Sequence, residues 1–314
     1  MRAFTIDGFA LPLPAHHRFP AGKYALLRRR VEAAGFARLE VPAAATDEQI
    51  LRAHSPEYLR KVVAGELTRA EQQATGLPWS PQLVERARRS VGATIAACRA
   101  AVEDGVAVSL AGGTHHAFRD RGEGFCVFND CAIAARALQA EGLARRALIV
   151  DCDVHQGDGS ASILAGDASI FTFSIHAERN YPFAKQASDL DVGLPDLTGD
   201  AEYLAALAQA LAQALERSQA DFAIYLAGAD PYAGDRLGKL SLSKKGLARR
   251  DRLVLESCAA RALPVAVTMG GGYAEPIEDT VDIYYNTVKA AWRLYVRRLA
   301  SLTTRAASAS SRRR

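Results

Sequence analysis

The stretch Leu148–Gly159, LIVDCDVHQGDG, constrains the fold of this chain more than any other segment. Its first three residues form an apolar run typical of a buried strand, and polar residues follow at once. Asp151, Asp153 and His155 are spaced two residues apart, so in extended backbone their side chains point to one face. Carboxylate and imidazole groups with this spacing can bind one zinc-like transition-metal ion.

A polar turn that caps a helix is the alternative explanation of this stretch, and a single Asp-x-Asp sequence would favour it. Here Gly157 and Gly159 also allow the backbone to turn sharply and to bring Asp158 back toward the same point. This concentration of carboxylate, imidazole and glycine favours a metal site over a capping turn.

The composition is typical of a globular protein, with 314 residues, 49% of them apolar and 24% charged. The formal net charge is +4, but the tail contributes much of it and carries no acidic residue. Its cationic residues are Arg305, Arg312, Arg313 and Arg314. The body is therefore nearly neutral, which argues against direct nucleic-acid binding. We expect one catalytic domain over residues 1–300 and a disordered Ser/Ala/Arg tail over residues 301–314.

Cysteine usage and hydropathy favour a cytoplasmic protein. The five cysteines are odd in number and scattered, without a Cys-x-x-Cys motif, so a disulfide framework is not expected. No apolar run approaches the roughly 18 residues of a membrane span. Pro12, Pro14 and His16 interrupt the region where a signal peptide would need its apolar segment.

From residue 106 onward, apolar strands alternate with helices. The predicted strands are 106–110, 147–150, 169–175, 222–226 and 264–269, and the predicted helices are 129–141, 201–217, 244–261 and 277–299. Earlier in the chain we predict a strand at 2–6, helices at 24–34, 56–64 and 81–104, and an irregular surface segment at 65–80. Nearly continuous apolar strands separated by helices predict an α/β fold, a single three-layer domain with a mainly parallel sheet flanked by helices.

Polar segments follow several of these strands, at the edge where a parallel sheet binds ligands. They are Gly112–His116, the stretch after Val150, Gly228–Asp230 and Gly270–Tyr273. Asp230 alone could be a turn residue, and the three glycines before Tyr273 could form only a tight loop. Together with Asp153 and His155, however, Asp230 would complete three zinc ligands with one position left open for catalysis.

The other polar residues supply the remaining groups of a metal-dependent amide hydrolase. A neutral imidazole, His115 or His116, can accept a proton from the attacking water while the other acts as electrostatic partner or general acid. Asp151 and Asp158 can orient the two imidazoles, and Tyr273 can donate a hydrogen bond to the developing oxyanion. One histidine of the pair could instead be a buried structural residue.

At this point the sequence resembles the histone deacetylase family, the zinc-dependent acyl-lysine amidohydrolases of the arginase/deacetylase fold. The matching motifs are GGTHHA (112–117), GEGFCVFND (122–130), DCDVHQGDG (151–159), GADP (228–231) and GGGY (270–273). Gln156 and the loop before Lys23-Tyr24 look most similar to the bacterial, class IV-like branch. The resemblance covers nearly all of residues 1–297.

The resemblance implies specific roles. Asp153, His155 and Asp230 would bind zinc. His115 and His116 would be the catalytic pair, oriented by Asp151 and Asp158 respectively, and Tyr273 would polarise the scissile carbonyl. Gly124 and Phe125 would line one wall of the acyl-lysine tunnel and Tyr181 the other. A structural potassium ion would bind backbone oxygens of Asp151, Asp153 and His155 and the hydroxyl of Ser174. The rim aspartate that many deacetylases use to hold the substrate backbone has no clear counterpart within 65–80.

The leading hypothesis is a cytoplasmic zinc-dependent deacylase of lysine side chains in proteins or peptides, acetyl or longer. The alternative substrate is an acetylpolyamine or another small N-acyl amine. An arginase-like ureohydrolase with two manganese ions would need more bridging aspartates near His155. A non-enzymatic metal-binding or scaffold protein is disfavoured by the complete catalytic set, Tyr273 included. Acyl-chain length and oligomeric state do not follow from the sequence.

Overall fold

The strands of this chain form one parallel sheet. The structure, a computed structural model, describes residues 1–9 and 11–311, without the side chains of residues 302–311. The strands are β1 (Arg2–Phe4), β2 (Arg38–Glu40), β3 (Val106–Ser109), β4 (Ala147–Asp151), β5 (Ile170–Ala177), β6 (Leu190–Leu194), β7 (Phe222–Leu226) and β8 (Val265–Thr268). Within the described residues the sheet has the order β2-β1-β3-β8-β7-β4-β5-β6, and its pairs are parallel.

Helices cover both faces of this sheet. They are α1 (Gly22–Ala34), α2 (Asp47–Leu51), α3 (Pro56–Ala64), α4 (Arg69–Thr75), α5 (Pro81–Asp104), α6 (Asp130–Ala140), α7 (Asp158–Leu164), α8 (Asp200–Ser218), α9 (Lys244–Ala260) and α10 (Ile277–Ser311). One apolar core lies between the sheet and α3, α5 and α6, and a second lies between the sheet and α1, α8, α9 and α10. Strands β3, β4, β7 and β8 are buried along their whole length, as strands covered on both faces must be. The predicted three-layer α/β fold is confirmed.

The prediction of an irregular segment at 65–80 is wrong, because α4 lies within it. A capping box starts this helix: Glu71 N donates to Thr68 Oγ1 at 3.2 Å, and Thr68 N donates to Glu71 Oε2 at 2.7 Å. Only Thr75 of the helix is buried, so the segment has almost no apolar periodicity that could have predicted it.

Two strands and the end of the last helix also differ from the sequence-based expectation. β2 has three residues and β6 alternates exposed and partly buried positions, so neither forms the apolar run that predicts a strand. α10 continues beyond the predicted end near Leu299 to Ser311. The disorder expected for residues 301–314 concerns mainly the side chains of residues 302–311 and the whole of residues 312–314. Both lie outside the described part of the chain. That expectation and the domain limit at residue 300 stay predictions.

In the described residues, none of the helices combines the length and the apolar character that crossing a membrane requires.

Candidate active site

The predicted site residues lie at the carboxyl edge of the sheet, where β4 and β7 end side by side. Asp151 pairs with Leu226 in the register of these strands, and Cys152 N continues the pairing by donating to Leu226 O at 3.0 Å. The chain after β4 then carries Asp153 into contact with the segment after β7. Val154 N donates to Asp230 Oδ1 at 3.0 Å, which fixes the second segment against the first.

Asp153, His155 and Asp230 form a buried group whose ligand atoms lie within 4.8 Å of one another. His155 Nδ1 lies 3.0 Å from Asp153 Oδ1 and 3.2 Å from Asp230 Oδ2. Asp230 Oδ2 is buried and accepts no hydrogen bond in the described residues. Gly271 packs so closely over this oxygen that a Cβ at that position would overlap it. A buried carboxylate oxygen without a donor, next to an imidazole and a second carboxylate, fits a divalent metal ion.

The electrostatics of this group also favour a bound cation. Burial and the Asp153 carboxylate raise the pKa of Asp230 to about 7. Burial opposes the charged form of His155, but the adjacent Asp153 and Asp230 carboxylates outweigh it and raise its pKa to about 10. The two carboxylates therefore hold a proton on the imidazole when no metal compensates their charge. A metal ion can replace that proton.

The tandem histidines lie beside this group, and each is bound to a different carboxylate. His115 Nδ1 lies 2.7 Å from Asp151 Oδ2, and His116 Nδ1 lies 2.6 Å from Asp158 Oδ1. These pairings match the predicted orientation of each imidazole. Both rings are buried, with their centroids 4.1 Å apart.

The two imidazoles differ in charge. Burial opposes the charged form of His115, but the Asp151 and Asp153 carboxylates outweigh it and raise its pKa to about 9. Burial, reinforced by His115, lowers the pKa of His116 to about 4. Near neutral pH the pair therefore combines one charged and one neutral imidazole, and His116 is the neutral one that can accept a proton.

Asp130 holds the loop that carries the histidines, a role that was not predicted from the sequence. Its Oδ2 accepts from Gly113 N at 3.0 Å and its Oδ1 from Thr114 N at 2.7 Å. Asn129 Nδ2 donates to the His115 carbonyl at 3.3 Å. The helix-start pattern explains Asn129 as an N-cap, but nothing in the sequence indicates that its neighbour binds a loop after another strand.

Tyr273 is held by residues from three separate parts of the chain. Its backbone N–H donates to Asp235 Oδ2 at 2.6 Å. Lys23, fully buried in α1, donates from Nζ to Gly272 O at 3.1 Å, and this Nζ lies 5.2 Å from the Tyr273 ring centroid. Tyr284 donates to Gly270 O at 2.6 Å. Burial lowers the pKa of Lys23 to about 8, against the attraction of Asp230 and Asp235. The sequence motif around Lys23 indicated a family branch but not this contact.

Replacing Lys23 with methionine is expected to lower kcat by about 10- to 100-fold, because the loop that aims the Tyr273 hydroxyl loses its donor and can shift. Steady-state kinetics on an acyl-lysine amide measure the effect. The control is Lys245→Met, the same substitution at an exposed lysine. Equal kcat in the Lys23 variant and the control would contradict the positioning of the Tyr273 loop by Lys23.

All three predicted tunnel residues line a cavity of about 430 Å³ that also contains the histidine pair, Asp153, His155 and Tyr273. Gly124 N and Phe125 N donate to the carbonyls of Ala74 at 3.2 Å and Thr75 at 2.8 Å, so the unpredicted α4 supports this wall. Gly124 adopts φ +53° against the His116 ring, where a Cβ would lie 2.6 Å from His116 Cδ2. Tyr181 also contacts that ring, with 4.9 Å between the ring centroids.

Ser174 lies next to Asp151 in the register of β4 and β5. Its hydroxyl oxygen lies 2.9 Å from His176 Nδ1. A potassium ion bound by Ser174 and nearby backbone oxygens stays a prediction.

Comparison with known proteins links this geometry to one family. The family profile described as "Histone deacetylase domain" matches residues 17–288. An uncharacterised protein of Picosynechococcus sp. is 46% identical over 293 residues, which cover 91% of this chain and 97% of that protein. Histone deacetylase 2 of Arabidopsis thaliana is 29% identical over 282 residues, covering 85% of this chain and 73% of that protein. The crystal structure of the HDA15 HD domain shares the fold, with a TM-score of 0.78, 20% identity and 94% of both chains covered.

Proposed function

The chain belongs to the histone deacetylase family, and we propose that it is a zinc-dependent amidohydrolase that removes acyl groups from lysine side chains of proteins or peptides. One observation supports this most strongly. The proposed ligands Asp153 and His155, the histidine pair and Tyr273 all line one cavity. No separate rearrangement is needed to bring a bound amide into contact with all of them.

The donor set fits zinc, with Asp153, His155 and Asp230 as the residues that would hold it. When bound, zinc lowers the pKa of a water molecule and polarises the amide carbonyl. The carboxylates of Asp151 and Asp158 hold the two imidazoles by their Nδ1 atoms, which leaves each Nε2 free to act on the substrate.

The chain's own residues then divide the proton transfers. His116, neutral near pH 7, accepts the proton of the attacking water at Nε2. The charged His115 stabilises negative charge that develops on the substrate and can supply a proton to the leaving amine. Burial, together with Asp230 and Asp153, raises the pKa of Tyr273 well above its usual value. Tyr273 therefore stays protonated, and its hydroxyl donates a hydrogen bond to the carbonyl oxygen.

The shape of the cavity supports acyl groups longer than acetyl. Its lining continues from the ligands after β4 to Ile6 after β1, and to Leu83 and Ala87 on α5. β4 and β1 are separated by β7, β8 and β3, so four inter-strand spacings, roughly 19 Å, lie between them. The methyl carbon of an acetyl group lies only about 1.5 Å beyond its carbonyl carbon and would fill little of this space. The apolar side chains along it suit a hydrocarbon chain.

A panel of fluorogenic lysine amides, from acetyl through butanoyl and octanoyl to dodecanoyl, tests both the activity and the chain length. We expect kcat/KM to be higher for at least one longer acyl group than for acetyl. Ala87→Phe narrows the apolar part of the cavity and should lower kcat/KM for the longer acyl groups by about 10- to 100-fold relative to acetyl.

The control for that variant is Ala140→Phe, at an exposed position of α6. A panel in which no lysine amide is cleaved would overturn the proposed activity. Cleavage with acetyl as the best substrate, unchanged by Ala87→Phe, would overturn only the chain-length assignment.

Acetylpolyamines belong in the same panel as the alternative substrates. A polyamine carries positive charge, and acidic side chains would be needed to bind it. Among the described residues that line the cavity, Asp153 is the only acidic one, and it belongs to the proposed metal site. Arg18 and Arg86 also line the cavity and would repel a cation. This lining favours acyl-lysine over a polyamine.

Cytoplasmic location completes the proposal. All five cysteines are buried free thiols, which supports a reducing compartment.

A further inference from the structure

Arg250 of α9 is a fully buried cation that the proposed chemistry does not use. Its Nη1 donates to the carbonyl of Cys152 at 3.1 Å and to the carbonyl of Gly228 at 2.6 Å. Cys152 immediately precedes the ligand Asp153, and Gly228 lies two residues before the ligand Asp230. One nitrogen atom therefore joins the two segments that carry the proposed zinc ligands.

This contact lies where the sheet no longer fixes the two segments. The last backbone hydrogen bond between the extensions of β4 and β7 runs from Cys152 N to Leu226 O. Beyond it each segment still pairs with its other neighbour, since Ala177 N donates to Val154 O at 2.9 Å and Ala227 N donates to Thr268 O at 2.9 Å. The spacing between the two segments then depends on side-chain contacts such as those of Arg250. A shift of either carbonyl would move the attached ligand residue.

The orientation of the guanidinium is itself fixed from the opposite side. Asp251 Oδ1 accepts from Arg250 Nε at 3.0 Å and Nη2 at 2.8 Å, and also from the Tyr225 hydroxyl at 2.7 Å. Thr287 donates from its hydroxyl to Asp251 Oδ2 at 2.6 Å. Asp251 is fully buried as well. The contact to the two carbonyls is thus part of a rigid network whose other members lie on β7 and α10.

A buried ion pair is weak evidence of stabilisation, because desolvation of both charges offsets their attraction, and apolar replacements of similar volume are often neutral or stabilising. In this network one guanidinium group donates hydrogen bonds to both ligand segments and so holds them at a fixed spacing. Apolar side chains cannot reproduce this effect. We infer that Arg250 is a positioning residue that sets the spacing of Asp153 and Asp230 and thereby the affinity of the site for zinc. This inference rests on the proposed zinc-dependent function.

The test compares zinc dissociation constants, measured on the full chain by competition with a chromophoric chelator at fixed pH. Arg250→Lys keeps the charge but loses the planar guanidinium, which Asp251 orients through Nε and Nη2 so that Nη1 meets both carbonyls. The triple variant Arg250→Met/Asp251→Leu/Tyr225→Phe removes the Arg250–Asp251 ion pair. It also removes the Tyr225 hydroxyl, which would otherwise lose Asp251 as its hydrogen-bond acceptor. We expect zinc to bind about 10- to 100-fold more weakly to the triple variant. The melting temperature of the metal-free triple variant should match or exceed that of the wild type.

Arg136→Met is the matched control. Arg136 likewise donates to two carbonyls, from Nη1 to that of Arg52 at 2.7 Å and from Nη2 to that of Ile163 at 3.3 Å, but neither carbonyl adjoins a proposed zinc ligand and Arg136 does not line the cavity. Its zinc dissociation constant should stay within about twofold of the wild type, since no ligand is displaced.

An unchanged dissociation constant in either folded Arg250 variant would overturn the inference. So would weaker zinc binding that only parallels a loss of melting temperature in the metal-free protein, since that would mark a general structural role. Wild-type protein that binds no zinc would overturn the proposed function instead. The two failures are therefore distinguishable.

Discussion

Tyr273→Phe is expected to lower kcat by about 100- to 1,000-fold, the usual effect of removing one oxyanion donor, while the zinc content stays at the wild-type level. The hydroxyl lies in the cavity with the histidine pair, and the raised pKa of Tyr273 keeps it protonated as a donor. Asp235 and the residues around Lys23 hold the backbone of the loop, not the hydroxyl, so the variant should leave the loop in place. Single-turnover kinetics and metal analysis of the same preparation measure both quantities.

Tyr232→Phe is the control for this substitution. This substitution likewise removes a phenol hydroxyl, which in Tyr232 donates to Asp279 Oδ2 at 3.2 Å, but Tyr232 does not line the cavity. It should retain wild-type turnover. Wild-type kcat in Tyr273→Phe would show that the oxyanion is stabilised without this phenol.

Asp230→Ala is expected to abolish zinc binding and, with it, measurable hydrolysis, because a three-ligand site loses one ligand and one negative charge. The stability of the protein provides a second measurement. Zinc at about 1,000 times its dissociation constant should stabilise the wild type by roughly 4 kcal/mol, and this increment should vanish in the variant. Asp230 Oδ1 accepts from Val154 N, so the metal-free variant also loses that hydrogen bond, and the zinc increment is measured for each protein relative to its own metal-free form.

Asp196→Ala, at an exposed carboxylate that follows β6 and does not line the cavity, is the control and should bind zinc like the wild type. Stoichiometric zinc in Asp230→Ala would eliminate Asp230 as a ligand. Zinc titrations followed by thermal unfolding distinguish these outcomes without reference to turnover.

The parallel sheet was predictable because its inner strands are buried on both faces. Phe222–Leu226 is apolar at every position, and its predicted limits equal those of β7. β2 could not be predicted in this way, since its three residues include Arg38 and Glu40 and, in the part of the chain that the structure describes, it is an edge strand paired with β1. α4 had a readable capping box, but a short helix with one buried residue offers no periodicity to extend it.

The site residues that follow strands were predictable for a topological reason. The carboxyl ends of parallel strands share one edge, so Asp153 and Asp230 could be expected to meet although 76 residues separate Val154 from Asp230. Lys23, Asp130 and Arg250 lie on helices and reach the site only through packing. A lysine or arginine in a helix is usually solvated, and the sequence contains no sign that these charges are buried. Their roles depend on tertiary contacts between distant segments.

The position of β8 has a consequence for how the chain folds during synthesis. β8 is the last strand along the chain within the described residues, yet it lies between β3 and β7 in the middle of the sheet. Until it leaves the ribosome, β2-β1-β3 and β7-β4-β5-β6 cannot join, and β3 and β7 each present an unpaired apolar edge. Tyr273 follows β8 directly, so the nascent chain acquires its oxyanion donor only as the sheet closes. Premature termination before β8 would leave two separate sheets with unpaired apolar edge strands. Such fragments would be targets for chaperones and proteases.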